Sequence, residues 1–150
     1  GGQHRDDDKY KYLGGVVSPI DGCMYCIPSD ADRILRVDPS TASCSYVGRD
    51  LSDIAKGQSR GLNKWQNGFA GQDGCIYAIP LKCERVLRID PTKEDCASLI
   101  GGPFEGLNLW EGGVEGSDGA LYCMPLKCDR VMRIAPAGCE PLPSNRCTVS

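Results

Sequence analysis

Residues 73–91, DGCIYAIPLKCERVLRIDP, decide the fold because their pattern occurs three times in the chain. Residues 21–39 read DGCMYCIPSDADRILRVDP, and residues 118–136 read DGALYCMPLKCDRVMRIAP. Each copy has an Asp-Gly pair, an apolar run with a Tyr, a Pro, a polar break, and two arginines within a second apolar run that ends before Pro. A pattern of this length that recurs three times predicts a repeat architecture.

Each unit contains short runs of strand-forming residues between turn residues. In the second unit the predicted strands are 65–70, 75–79, 85–89 and 96–100. We align them with 13–18, 23–27, 33–37 and 44–48 in the first unit. In the third unit they match 110–115, 120–124, 130–134 and a weak last strand near Cys139. Four short strands joined by tight turns predict an antiparallel meander.

The spacing of the units predicts the fold class. The Asp-Gly turns at 21, 73 and 118 are 52 and 45 residues apart, and the excess falls in the polar segment 49–60, which we expect to be a surface loop. A period of about 45 residues with four strands is typical of a β-propeller blade. The sequence therefore predicts an all-β fold of three propeller-like four-stranded repeats, a partial propeller or arc. Its units cover residues 11–62, 63–107 and 108–140, between polar tails at 1–10 and 141–150.

The number of blades leaves the arrangement open. Propellers usually close with about four to eight blades, and three leave open strand edges. The alternatives are an arc covered by another protein, two chains paired into a six-bladed ring, and a compact three-unit domain stapled by disulfides. We favour the covered arc and the compact domain over the ring.

Charge and hydropathy exclude two classes of partner. A net charge of -3 and a pI near 5.1 argue against nucleic acid as a main partner. No apolar run reaches the roughly 18 residues of a membrane span, so we expect a protein at most peripheral to a membrane. The first residues hold His4 and the acidic run Asp6, Asp7 and Asp8. This composition predicts a solvated tail, with a tail that docks on a basic partner as the alternative.

Ten cysteines in 150 residues favour a disulfide framework in an oxidising compartment. The alternatives are reduced cysteines buried as small apolar residues and cysteines that bind metal. The disulfide candidates comprise every cysteine of the chain: Cys23, Cys26, Cys44, Cys75, Cys83, Cys96, Cys123, Cys128, Cys139 and Cys147.

Two disulfide pairings follow from the repeat alignment. Cys123 and Cys128 flank a four-residue break and are predicted to face each other across a hairpin. The first unit keeps only the first of these positions, as Cys26, and the second unit keeps only the second, as Cys83. A bridge between Cys26 and Cys83 is therefore a candidate link between neighbouring units. The alignment also places three cysteines at one position of the outer strand: Cys44, Cys96 and Cys139.

A pair of arginines recurs in every unit: Arg33, Arg36, Arg85, Arg88, Arg130 and Arg133. One interpretation is a ring of guanidinium groups for an anionic ligand. We favour a structural role, in which each arginine pairs with a carboxylate such as Asp38 or Asp90 or covers apolar surface. Trp65, Trp110 and the repeated tyrosines are expected to pack in the core or between blades.

The sequence contains no recognisable catalytic constellation. Cys23 and Cys26 form a CxxC motif, but they lie on a predicted strand, whereas a redox pair lies at a helix N-terminus and structural zinc normally uses two such motifs. The only histidine is in the tail, and neither a Gly-x-Ser-x-Gly elbow nor a phosphate-binding loop occurs. We therefore expect no catalytic residue, no cofactor and no metal.

The repeated motifs Trp-x-x-Gly, Asp-Gly-x-apolar-Tyr-x-apolar-Pro and Arg-Val-Leu-Arg-Ile-Asp-Pro resemble propeller-type repeats common in uncharacterised algal and protist proteins. The resemblance covers residues 12–140. More distantly, the repeats are similar to the blades of gluconolactonase-like and streptogramin-lyase-like propellers. Those enzymes bind a divalent metal on the propeller axis through acidic and polar side chains. No such set is found in this sequence, so their activity is not transferred.

These observations predict a non-catalytic interaction subunit that docks through its arc and its open strand edges. The algal resemblance, the absence of an N-terminal Met and the cysteine content imply a processed accessory subunit of a photosystem or other large membrane complex. Its predicted location is the thylakoid lumen or the extracellular space. Self-association is an alternative to a protein partner. The alternative functions are a propeller that uses a central metal and a module that binds carbohydrate through Trp65 or Trp110.

Overall fold

The computed structural model describes residues 10–54 and 62–139, and each regular element in these ranges is a β-strand. Blade 1 contains β1 (Tyr12–Val17), β2 (Met24–Pro28), β3 (Ile34–Asp38) and β4 (Ser43–Val47). Blade 2 contains β5 (Trp65–Ala70), β6 (Ile76–Pro80), β7 (Val86–Ile89) and β8 (Ala97–Ile100). Blade 3 contains β9 (Trp110–Glu115), β10 (Leu121–Pro125) and β11 (Met132–Ile134). In every blade the strands pair antiparallel in chain order, which confirms the all-β fold and the meanders.

The turn residues act as the sequence predicts. The glycines of the three Asp-Gly pairs have φ values of 70°, 79° and 77°, a region that residues with a Cβ seldom adopt. The second strand of each blade ends at a proline, which has no N–H to continue a ladder. A fourth strand in blade 3 is not found in the described residues, where Cys139 lies in a turn and its N–H bonds the carbonyl of Pro136.

The first strands correct the repeat alignment by one residue. Tyr12, Trp65 and Trp110 lie opposite Pro28, Pro80 and Pro125, so Tyr12 rather than Leu13 corresponds to the tryptophans. Two residues further on, each strand has a β-bulge with a left-handed residue: Gly14, Asn67 and Gly112. All three strands share this bulge, so the extra residue of blade 1 lies in the turn between β1 and β2, where Val17 precedes Asp21 by four residues but Ala70 precedes Asp73 by three.

The outer strands also correct the alignment of the cysteines. Cys44 lies opposite Val37, whereas Ala97 lies opposite Ile89 at the same position of blade 2. The turn before β8 is one residue longer than the turn before β4, so Cys96 precedes its strand. Cys44, Cys96 and Cys139 therefore do not share one position, and the prediction that they do is wrong.

The blades stack face to face around two apolar cores. The core between blades 1 and 2 contains Tyr25, Ile27, Ile34, Trp65, Ile76, Ala78, Leu87 and Ile89. The core between blades 2 and 3 contains Tyr77, Ile79, Val86, Trp110, Leu121, Cys123, Met132 and Ile134. Both faces of blade 2 are thus buried, because its strands carry apolar residues on both faces.

The segment between blades 1 and 2 is not only a surface loop. Leu51 is fully buried in the first core, and its N–H bonds the carbonyl of Asp32 at 2.8 Å. The predicted tails lie outside the described residues except for Tyr10, and so do His4, the acidic run and Cys147. No helix that could cross a membrane occurs in residues 10–54 or 62–139.

Candidate functional site

A carboxylate network at the Asp-Gly turn recurs in every blade. The aspartate accepts a hydrogen bond on Oδ2 from the tyrosine four residues later, at 3.0 Å for Asp21, 2.7 Å for Asp73 and 2.7 Å for Asp118. Its Oδ1 accepts the backbone N–H two residues later, at 3.1 Å in all three turns. This single side chain therefore ties the turn to the second strand.

The second arginine of each pair extends this network to the third strand. Each arginine lies opposite the tyrosine in the strand register, so both reach one carboxylate. Its guanidinium lies 3.1, 3.9 and 2.8 Å from Oδ2 of the aspartate in blades 1, 2 and 3. We call these three sets the Asp–Tyr–Arg triads: Asp21, Tyr25 and Arg36; Asp73, Tyr77 and Arg88; Asp118, Tyr122 and Arg133.

The first arginine of each pair serves the outer part of the blade. Arg33 and Arg85 donate to the carbonyls of Gly48 and Gly101 at 3.0 and 2.7 Å, just beyond the fourth strand. Their own carbonyls accept hydrogen bonds from the ring groups of Tyr12 and Trp65, and Arg130 accepts one from Trp110. The three arginine pairs thus lie in separate blades, and these contacts of Arg33 and Arg85 are made within their own blades.

The triads lower the pKa of their aspartates. Burial alone raises the pKa of Asp73, but hydrogen bonds from Tyr77 and Cys75 and the charge of Arg88 bring it below its ordinary value. The guanidinium of Arg133 and the hydroxyl of Tyr122 lower the pKa of Asp118 to about 2. The carboxylates are therefore ionised and saturated with donors at neutral pH, which is typical of structural clamps and not of general bases.

We expect Asp118→Asn to flatten the acid dependence of stability. The folded pKa of about 2 lies below the ordinary 3.8, so the ionised carboxylate stabilises the fold above about pH 4 and loses this contribution as the pH falls toward 2. Urea unfolding midpoints between pH 7 and pH 2 measure this slope. The exposed Asp129, whose carboxylate lies 3.5 Å from Arg130, provides the control Asp129→Asn. An unchanged slope in Asp118→Asn would contradict the clamp.

The disulfide framework is not found in the part of the chain that the structure describes, where all nine cysteines are free. Cys128 Sγ donates to the carbonyls of Leu109 and Arg130, and neither predicted pairing, Cys123 with Cys128 or Cys26 with Cys83, forms a bond. Burial raises the pKa of Cys83 and Cys123 to about 12, so these thiols are protonated apolar residues of the core.

The described residues contain no group of three His, Cys, Asp or Glu side chains that could hold a metal ion. An open groove of about 510 Å³ between blades 1 and 2 is lined by Arg33, Arg36 and Lys93. Each of these cations is already engaged: Arg33 with Gly48, Arg36 with Asp21, and Lys93 with Asp90 at 3.4 Å. This groove therefore offers little free charge to an anion.

Within residues 10–54 and 62–139, two sheet faces are not covered by another blade. Every blade has a leading face, which packs on the preceding blade, and a trailing face, which packs on the next. The leading face of blade 1 has no preceding blade in the structure. Its residues form two rows across the four strands: Val17, Met24, Val37 and Cys44; and Gly15, Cys26, Leu35 and Tyr46. The exposed fraction ranges up to 65% for Val17 and Tyr46 and is 37% for Met24.

In the part of the chain that the structure describes, the trailing face of blade 3 likewise has no following blade packed on it. It carries Val114, Tyr122, Met124, Val131 and Arg133, at the positions that blade 1 fills with Val16, Tyr25, Ile27, Ile34 and Arg36. Val131 is 49% exposed and Val114 is 61% exposed, whereas Ile27 and Ile34 are fully buried. We call these two surfaces the terminal faces and take them as the candidate functional site.

Sequence reasoning missed both parts of this arrangement. The Asp-Gly pairs were interpreted only as turn formers, although an Asp four residues before a Tyr and fifteen before an Arg in all three units was a signal for the triads. The open surface was expected at strand edges. Each blade has edge strands whether or not another blade packs on it. Where no blade packs on a sheet, the surface that becomes exposed is the apolar face of that sheet.

The sequence matches no protein-family model and no curated protein sequence. Among solved structures it is similar to virginiamycin B lyase from Staphylococcus aureus, with 15% identity and a TM-score of 0.61, over 88% of this chain and 39% of that one. A second is the extracellular domain of a putative one component system from B. thetaiotaomicron, with 13% identity and a TM-score of 0.58, over 87% and 16%. A third is an auxiliary nutrient binding protein from Bacteroides thetaiotaomicron, with 15% identity and a TM-score of 0.55, over 84% and 34%.

These similarities support the propeller-like fold. The identities are too low to carry an activity from one protein to the other. The chain spans about two fifths of the length of the lyase and less of the other two.

Proposed function

We propose that this chain is a non-catalytic interaction module that docks through its terminal faces. The observation that carries the proposal is the pair of apolar rows on blade 1, together with the matching apolar positions on blade 3. Side chains such as Tyr46 and Met124 are exposed in the isolated chain, although the same faces are buried wherever a neighbouring blade is present. Contiguous exposed apolar surface of this kind marks a protein interaction site.

The chemistry of the polar residues supports binding over catalysis. The triad carboxylates accept hydrogen bonds from donors of this chain, and the buried thiols of Cys83 and Cys123 are protonated. The extracellular and nutrient-binding proteins with this fold are consistent with a binding role.

The proposed cellular location rests on the resemblance of the repeats to those of algal proteins. We propose a peripheral, lumen-side accessory subunit of a photosynthetic or other large membrane complex, in the thylakoid lumen or an equivalent extracellular compartment. Fractionation of native membranes tests this location. Recovery of the chain with the complex supports it, whereas recovery of this chain alone in the supernatant contradicts it.

A second candidate function is a ligand-binding or metal-dependent propeller, because a lyase and a nutrient-binding protein share the fold. A stoichiometric divalent metal or a glycan bound by the purified protein would favour it. The tryptophans are poor candidates for a glycan platform, since Trp65 and Trp110 are buried and their Nε1 groups bond to carbonyls of Arg85 and Arg130.

Photo-crosslinking in the cells that make the protein tests the docking proposal. We would replace Tyr46 and, in a second variant, Met124 by benzoylphenylalanine. The control is the same change at Ile20, which is 53% exposed in the β1–β2 turn, beside Gly74, and off both terminal faces. Crosslinked products at positions 46 and 124 above the background at position 20 support docking, and their absence at both positions contradicts it.

A further inference from the structure

We propose that the groove between blades 1 and 2 binds a neutral saccharide. The groove has a volume of about 510 Å³, within the range of about 300–1,000 Å³ that small-molecule sites occupy. Blade 1 lines it with Arg36 and Ser45, and blade 2 lines it with Pro91, Lys93 and Glu94. The inference does not depend on the proposed docking function, because the groove lies between two blades that the structure describes.

The groove is open because the contact between blades 1 and 2 differs from the contact between blades 2 and 3. In the latter, the turn after β11 closes on blade 2. The N–H of Ala137 bonds the Asp73 carboxylate, and a Cβ at Gly71 would lie 2.8 Å from Pro136. In blade 1, the hydrogen bonds to Asp21 come from its own blade. The space that a turn fills in one contact is therefore left open in the other.

The turn before β8 gives the groove a wall with a free acceptor. This turn is one residue longer than the turn before β4, and it carries Lys93 and Glu94. Lys93 pairs with Asp90 at 3.4 Å, whereas the Glu94 carboxylate makes no hydrogen bond or ion pair within residues 10–54 and 62–139. Glu94 is exposed, so its oxygens are available to a ligand that donates hydrogen bonds.

The wall on blade 1 supplies donors. The Nε of Arg36 donates to Asp21 at 3.1 Å, and the other hydrogen-bond partner of this guanidinium is Tyr25. A guanidinium has five N–H donors, so these contacts leave donors of Arg36 without an acceptor in the described part of the chain. Its counterpart Arg88 has a further contact, since its Nη2 lies 2.9 Å from Sγ of Cys75.

Two other polar groups of blade 1 also lack a partner among the described residues. Arg33 lines the groove, and its Nε is buried without an acceptor. The hydroxyl of Ser45 is exposed and makes no hydrogen bond to the described residues. A buried donor without an acceptor is destabilising, so a ligand that supplies one would remove that penalty.

Balanced charge and spare hydrogen-bonding groups together select the class of ligand. Arg36 and Lys93 are paired with carboxylates of the chain, and Glu94 adds a negative charge, so an anion gains little in the groove. A hydroxyl group both donates and accepts, so neighbouring hydroxyls of one sugar ring match the donors of Arg36 and the acceptors of Glu94. Val47 and Pro91 add apolar surface for the C–H face of the ring. A neutral saccharide combines these properties.

Saturation-transfer difference NMR of the purified chain tests the inference. The probes are four neutral trisaccharides, cellotriose, maltotriose, mannotriose and galactotriose, with trigalacturonate as the anionic comparison. We expect at least one neutral trisaccharide to bind with a dissociation constant of about 1 mM or lower. If none of the four binds, or if trigalacturonate binds more tightly than all of them, the inference is wrong.

Variants of exposed residues locate the bound sugar. Ser45→Trp fills the groove and should weaken binding by at least about tenfold, whereas Thr41→Trp, in the turn before β4, should bind like the wild type. Glu94→Ala should also weaken binding by about tenfold, and its control is Glu115→Ala, at the end of β9. All four residues are exposed, so the urea unfolding midpoints of the variants should match that of the wild type.

Unchanged affinity in both Ser45→Trp and Glu94→Ala would place the sugar outside the groove and overturn the inference. The docking function would survive that result, because crosslinking at positions 46 and 124 tests it separately.

Discussion

Trp65→Ala is expected to destabilise the isolated chain by about 3–5 kcal/mol, a large share of the 5–15 kcal/mol typical of a whole domain. The indole of Trp65 is fully buried between blades 1 and 2, and its Nε1 donates to the carbonyl of Arg85 at 2.8 Å. Its removal leaves a cavity in the core and a carbonyl without its donor. Denaturant and thermal unfolding followed by circular dichroism would show a melting temperature lower by roughly 10–20 °C.

Tyr46→Ala is the control for the tryptophan. Tyr46 is a large aromatic residue on the leading terminal face, so in the diluted monomer its truncation should change stability by no more than about 0.5 kcal/mol. A loss below about 1 kcal/mol for Trp65→Ala would mean that the interface between the first two blades contributes little to the fold.

Asp73→Ala is expected to cost about 2–4 kcal/mol. The Asp73 side chain is 9% exposed, and it accepts hydrogen bonds from the hydroxyl of Tyr77 at 2.7 Å and from the N–H of Cys75 at 3.1 Å. Alanine leaves these two donors without their acceptor and removes the carboxylate that lies 3.9 Å from the Arg88 guanidinium, although that guanidinium keeps Asp90 at 3.7 Å. The penalty for unsatisfied buried donors exceeds the net value of the bonds themselves. The measurement is urea unfolding at pH 7 of the diluted monomer.

A double-mutant cycle with Tyr77→Phe separates the triad from a general effect of losing charge. Asp73 and Tyr77 share a hydrogen bond. The double variant should therefore lose less unfolding free energy than the sum of the two single losses, by about 1 kcal/mol or more. The exposed Asp95 provides the control, and Asp95→Ala should cost no more than about 0.5 kcal/mol. Additive effects of Asp73→Ala and Tyr77→Phe would contradict the clamp.

The repeat pattern was sufficient to predict the architecture. Local signals place most strands: Trp65–Ala70 and Trp110–Glu115 occur with the predicted bounds, and the other observed strands begin or end within one or two residues of prediction. Asp-Gly and Pro residues act through backbone geometry, which depends on the residues themselves.

Features that depend on distant residues were not predictable in the same way. Cysteine content suggested disulfides, but bonding requires two sulfur atoms to meet, and the repeat leaves Cys26 on an exposed face and Cys83 inside a core. The turn between β1 and β2 is one residue longer than the turn between β5 and β6, which shifts the alignment of the first strand without changing its apolar pattern. The one-residue difference in the turn before β8 likewise separates Cys44 from Cys96.

The repeat pattern alone could not predict that the terminal faces are exposed. The apolar residues of blade 1 and blade 3 have the same pattern as those of blade 2, because each blade is built to be covered on both sides. Only the three-dimensional order of the blades shows that, among the described residues, no neighbouring blade covers Met24 and Met124, whereas Met132 lies between blades 2 and 3.

Methionine oxidation footprinting of the assembled native particle tests the docking of the terminal faces most directly. The chain has three methionines: Met24 and Met124 lie on the two terminal faces, and Met132 lies buried between blades 2 and 3. In the diluted monomer, Met24 and Met124 should oxidise quickly and Met132 slowly. In the assembled particle we predict that Met24 and Met124 become as slow as Met132. If both oxidise as fast in the particle as in the monomer, the terminal faces are not docking surfaces and the account is wrong.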